Sequence, residues 1–144
     1  MRRYLVVAHR TLGGPHLVEE LVRRREADPF CTFHLVVPEY HPTRTGWDDH
    51  EVRQAARATL AEMLERLAEM RIGATGEIGA SNPVYAVGQV IRRPGAPKYA
   101  GIILSTLPHS VSNWWVIGVP SRMSVTFPDI PLTHLVAKEA LVGH

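Results

Sequence analysis

The apolar residues of this chain follow two rhythms. Short continuous runs, several of them β-branched, alternate with stretches in which apolar positions recur every three or four residues. RYLVVA (Arg3–Ala8) reads as a strand buried on both faces, and CTFHLVVP (Cys31–Pro38) as a second strand that Pro38 closes. ATGEIG (Ala74–Gly79) is a weaker strand, and Gly101–Ser105 and Leu132–Ala137 complete a set of five. Between them lie helical patterns. Pro15 suits a first helical position, and Pro15–Ala27 turns Leu17, Leu21 and Val18 inward. Asp48 and Glu51 have capping-box spacing ahead of Val52, Ala56, Leu60, Met63, Leu67 and Met70, which predicts a long amphipathic helix. Asn82 caps and Pro83 opens a further helix to Arg92, with Val84, Val87 and Ile91 inward. A last short helix is expected over Pro120–Phe127.

Strands alternating with helices imply an α/β fold with a parallel sheet and right-handed crossovers. In such sheets a ligand sits beyond the carboxyl ends of the strands, where the strand order reverses. That draws attention to the loops after Ala8, Pro38 and Leu104.

Composition adds limits. The 144 residues make one domain, 1–144, without linker or repeat. A net charge of +2, with arginines spread along the chain, does not indicate a nucleic-acid partner. No apolar run approaches the roughly 18 residues of a membrane span, and the N-terminal run is too short for a signal peptide. Cys31, the single cysteine, reads as an inert buried thiol and fits a cytoplasmic protein. The Arg23–Arg25 and Arg92–Arg93 runs read as solvated helix ends, Met63 and Met70 as core positions, and His34 and His134 as hydrogen-bonded strand residues.

The chemistry-bearing residues gather at the expected crevice. His9 and Arg10 follow the first strand, and the Thr11–Gly14 turn leads into the first helix. Val37 stands where an apolar wall for a base would be, and Asn82 caps a helix near the crevice. After the fourth strand come His109, Ser110, Ser112 and Asn113, then Trp114 and Trp115, which read as packing or dimer-contact residues. The eight histidines show no metal-ligand spacing. Val119, Ser121 and Arg122 open the last helix, where backbone N–H groups and a guanidinium favour an anion.

RYLVVAHRT, IGASNPVYAVGQVI and GIILSTLPHS…GVPSRMSVTFPDIPLTHLVA together resemble the universal stress protein family, within the adenine-nucleotide alpha-hydrolase-like superfamily. The resemblance implies a three-layer, Rossmann-like sandwich, a five-stranded parallel sheet of order 3-2-1-4-5, and dimers formed through the last strand. ATP-binding members carry Gly-x2-Gly-x9-Gly-Ser/Thr after the fourth strand. Here Ser105, Pro108, Gly118 and Val119 hold those places, and His9 replaces the usual Asp after the first strand. The spacing survives, but of the motif residues only Gly118 does. Pro108 has no N–H to offer and Val119 no hydroxyl. Ser105 adds bulk where bare backbone would approach a phosphate more closely.

The expectation is a binding protein rather than an enzyme, with weak or altered affinity for ATP, another adenine nucleotide or a related small anion. His9, Arg10, Val37, Asn82, Ser105, Gly118, Val119, Ser121 and Arg122 are the ligand-binding candidates. No metal is expected beyond magnesium carried by the nucleotide. The alternative is a homodimeric scaffold of the same fold that binds no nucleotide.

Overall fold

Each strand of the sheet presents alternate side chains to two helical layers. In the computed structural model, which describes residues 1–8, 12, 14–39, 49–107 and 118–137 (the side chains of Asp49 and Val52 excepted), β1 (Arg3–Val7), β2 (Thr32–Pro38), β3 (Ala74–Gly79), β4 (Gly101–Thr106) and β5 (Leu132–Val136) form one sheet. Its order is β3-β2-β1-β4-β5, with every pairing parallel. The register runs from Arg3 opposite Thr32 to Val7 opposite Val36, and from Tyr4 opposite Gly101 to Val7 opposite Leu104. The α/β fold and strand order are those the sequence and its resemblance imply, and most element boundaries agree within a residue. Pro38 ends β2 because it lacks an N–H, and the amide of Glu39 resumes the ladder by donating to the Gly79 carbonyl at 3.0 Å.

Tyr4, Val6, Phe33, Leu35, Val37 and Ile103 face α1 (Pro15–Ala27) and α2 (Asp49–Glu69), where Leu17, Leu21, Leu60, Met63 and Leu67 complete a core. Leu5, Val7, Val36, Ile102 and Leu104 face the opposite way, toward α3 (Pro83–Ile91) and α4 (Val119–Thr126). Fully burying a side chain of this kind contributes about 1.5–3 kcal/mol, so the two cores are the principal stabilising element.

Several side chains depart from the sequence reading. Met70 is exposed, because α2 ends at Glu69 and the chain turns there. Ile72 takes the core position in its place. Arg71 makes that turn with φ +60°, closing the helix as the Ile72 amide donates to the Leu67 carbonyl. Val90 and Ala86 are buried more deeply on α3 than Val84 and Ile91, which lie at the margin of the core. Nor are the arginine runs simply solvated. Arg24 lies 4.8 Å over the Tyr4 ring, pairs with the buried Glu20 and donates to Thr133 Oγ1 at 2.8 Å. Arg93 makes a bidentate pair with Glu77 at 2.7 and 2.9 Å. The half-buried His34 bonds Thr75 at 2.7 Å and the same Glu77 at 3.1 Å. Arg93 first, and His34 after it, hold the Glu77 carboxyl below its ordinary value against the cost of burial. Cys31 is buried, and desolvation pushes its thiol up, which keeps it protonated and unreactive.

Candidate functional site

The chain leaves β1 for β2 on one side and later returns from β3 to β4 on the other, so the strand order reverses between β1 and β4. Beyond the carboxyl ends of those two strands begin α1 and α4. Gly14 caps α1 and Gly118 caps α4, neither with a side-chain hydrogen bond, and neither helix has an acidic residue in its first turn. A helix start carries unsatisfied N–H groups and partial positive charge. Among the described residues, two such starts therefore open at the switch point without a side-chain cap or an acidic residue in their first turn. The start of α3 is different. Asn82 Oδ1 accepts from the amides of Val84 and Tyr85 at 3.0 and 3.2 Å, so that terminus is closed.

Gly118 adopts φ +73°, ψ 30°, a left-handed conformation in which L side chains are strained. Among the described residues a Cβ placed there would meet nothing within 4 Å. The backbone conformation by itself accounts for a glycine at this place. Its carbonyl accepts the Arg122 amide at 2.9 Å, the first rung of α4. The N–H groups of Val119 and Ser121 lie ahead of that rung, and Pro120 between them has none.

The start of α1 is tied to β4 through a side chain, and β4 to β5 through another. His16, in the first turn of α1, shares a 2.8 Å hydrogen bond with Ser105, which is wholly buried near the end of β4. Ser105 is therefore engaged with α1, and its bulk is absorbed by that contact. On the other face Thr106 shares a 2.8 Å bond with His134 of β5. Burial lowers the pKa of both histidines; for His16 the charge of Glu19 works weakly the other way. Each imidazole stays neutral at pH 7. His16 was missed by the sequence reading, although its place in the first turn after the β1 loop was a usable signal. The His134–Thr106 pair depends on strand register, which carries no local signature.

The other candidates sort by accessibility. Val37 is 2 % exposed inside the α1–α2 core, so its side chain lines the core rather than an open wall. Val119 is likewise buried by its side chain, leaving only its amide for a ligand. Ser121 and Arg122 are exposed. Asn82, Val119, Ser121 and Arg122 border one groove of about 530 Å³ between α3 and α4. His9, Arg10, Pro108, His109, Ser110, Ser112, Asn113, Trp114 and Trp115, the Asp48 cap and the C-terminal tail lie outside the described residues. Among the described residues no three His, Cys, Asp or Glu side chains cluster as a metal site, and no helix is long and apolar enough to cross a membrane.

Comparison of the coordinates with solved structures gives the fold a name. A protein of the universal stress protein family from Burkholderia pseudomallei superposes with a TM-score of 0.58 at 15% identity, covering 92% of this chain and 94% of that one. The fold is that of the universal stress proteins. A second universal stress protein family structure, from Arabidopsis thaliana with AMP bound, superposes with a TM-score of 0.55 at 13% identity, covering 96% of this chain and 93% of that one. No family model matches the sequence, and no curated protein does. The universal-stress-like architecture is thus kept where sequence identity has nearly vanished. The same core alternation can be built from many apolar residues of similar volume.

Proposed function

We propose that this universal-stress-like protein binds an adenine nucleotide, or a related phosphate-bearing anion, between the carboxyl ends of β1 and β4. The observation that carries the reading is the pair of uncapped helix starts, α1 and α4, at the point where the strand order reverses. The AMP bound by the Arabidopsis protein of the same fold supports the ligand class. The amides of Val119 and Ser121 and the guanidinium of Arg122 meet the phosphate. His9 and Arg10 belong to the loop after β1 and complete the site from that side. Val37 and Asn82 serve as packing and capping residues, and Ser105 holds α1 against β4. Two departures from the phosphate motif, Pro108 without an N–H and Val119 without a hydroxyl, make the affinity modest or shift its selectivity. The role is regulatory binding in the cytoplasm, and any magnesium enters with the nucleotide.

A thermal-shift titration with ATP, ADP, AMP and inorganic phosphate tests this directly. A specific ligand raises Tm in proportion to the logarithm of its concentration above Kd. Arg122→Ala should weaken the best ligand by roughly 1–3 kcal/mol, the worth of a charge-assisted hydrogen bond. An unchanged titration removes Arg122 from the site, and no shift with any of the four removes the site itself.

A second reading is favoured by β5. It is an edge strand whose residues are only half-buried, with Val136 42% exposed, and among the described residues its outer edge has no neighbour in the sheet. We infer that two copies pair through β5. A concentration-dependent monomer–dimer equilibrium in sedimentation tests that pairing. A stable dimer that ignores every nucleotide is the scaffold alternative.

A further inference from the structure

The 530 Å³ groove between α3 and α4 extends well past the start of α4. Both helices begin at the carboxyl end of the sheet and run toward the other end, so they form two side-by-side walls. Large apolar side chains stand exposed on those walls: Tyr85 on α3 at 60% and Val125 on α4 at 78%. Val84 and the buried Val119 lie beside them. Arg122 stands near the upper end, and Arg92, whose guanidinium rests 5.8 Å over Phe127, closes the lower end. Among the described residues no carboxylate lines the groove. Its remaining polar lining, Asn82, Ser121 and Thr126, is uncharged.

An apolar strip between two cations, lined by no anion, has a definite complement. We propose that this groove receives an acidic amphipathic helix of a partner protein. Groove and occupant meet as a third helix packs between two, its apolar residues against Tyr85, Val84 and Val125. Counting along α3 and α4 at about 1.5 Å per residue separates the two arginines by roughly 10 Å along the groove. Carboxylates two turns apart, at i and i+7, span that distance, with apolar residues at i+3 and i+4 between them. The exposure of Tyr85 and Val125 argues against a small molecule, because small-ligand sites enclose most of the ligand's surface. Two guanidiniums with no further basic lining are few for a nucleic-acid strand, whose affinity rises with each phosphate neutralised. The proposal shares Arg122 and the start of α4 with the nucleotide reading, but Tyr85, Val125 and Arg92 belong to it alone, and its tests are made on those residues.

The test uses a fluorescein-labelled synthetic helix carrying Glu at i and i+7 and Leu at i+3 and i+4, titrated with the full chain by fluorescence anisotropy. Saturable binding is expected, about tenfold weaker for Val125→Asp and for Tyr85→Asp, the magnitude typical of removing an interface anchor. Arg92→Gln should weaken it severalfold, and so should raising salt until the Debye length falls to about 3 Å. Unchanged melting temperatures of these exposed-residue variants confirm that the fold is kept, and an AMP-induced Tm shift, if wild type shows one, should persist in Val125→Asp. The proposal is overturned if wild type shows no saturable binding, if the same helix with Lys in place of Glu binds equally well, or if Val125→Asp leaves the affinity unchanged. Tyr85-dependent binding of a single-stranded oligonucleotide in preference to the peptide would reassign the groove to nucleic acid. Self-association abolished by Val125→Asp would reassign it to a second copy of this chain.

Discussion

The two faces of the sheet are covered unequally. On one, α1 and α2 span 13 and 21 residues; on the other, α3 and α4 span only 9 and 8. The strands differ too: the face toward α3 and α4 carries His34, Thr75, Glu77, Thr106 and His134 among its apolar residues, while the face toward α1 and α2 is almost wholly apolar. The longer pair closes over its core, and its buried polar groups are matched: Glu20 against Arg23 and Arg24, and Ser105 against His16. The shorter pair leaves a groove where Tyr85, Val125 and Arg122 face solvent. Both faces bury a core, but only the α3–α4 side leaves a groove open to solvent between its helices.

The largest effect that would sharpen this contrast is a pair of truncations. Leu67→Ala removes a fully buried side chain under α2 and should cost about 2–5 kcal/mol in urea denaturation. Val125→Ala, on the open face, should stay within about 0.5 kcal/mol. Comparable losses from both would mean that the groove is a packed surface and that the two faces do not differ. Next in size is the cap. Asn82→Ala should lower stability by about 1 kcal/mol, because the Val84 and Tyr85 amides lose their acceptor. Gly118→Ala should cost about as much for another reason, the left-handed backbone. Equal melting of wild type and Asn82→Ala would show that α3 is held by packing alone.

The smallest effect is a pH dependence shared by the faces. The folded-state pKa of His16 on one side and His134 on the other is lowered by burial, so the unfolded chain binds more protons as pH falls through the ordinary value of 6.5. Stability is then full above that value and declines below it, until pH passes the lowered folded values. His16→Gln and His134→Gln should each flatten the slope of Tm against pH between about 7 and 5. Glu77 adds a later loss, as acid titrates the carboxyl that Arg93 holds below 4.5. A slope unchanged in both histidine variants would place the titration elsewhere.

Much of this architecture was legible before any coordinates. Pro15, Asn82, Pro83 and Pro38 mark helix starts and a strand end by chemistry local to a few residues, and the structure puts those boundaries where the pattern does. One miss is local: Met70 continues the α2 rhythm but lies beyond the helix end at Glu69, beside the turn at Arg71. The others involve residues far apart in sequence. The arginine runs look solvated until Tyr4, Thr133 and Glu77 are brought beside them. Of the candidate site, Gly118 was recognisable from motif spacing. That Val37 is enclosed required neighbouring elements to be in place, whereas the Asn82 cap was readable locally.

Local patterning determined the number, kind and order of the elements along the chain, because caps, prolines and the two hydrophobic periods act within a few residues. Which helix starts remain uncapped at the switch point, which serine is taken by a histidine, and which pair of helices leaves a groove were decided only by assembly. Those properties belong to distances between residues such as His16 and Ser105, 89 positions apart, and only packing sets such distances.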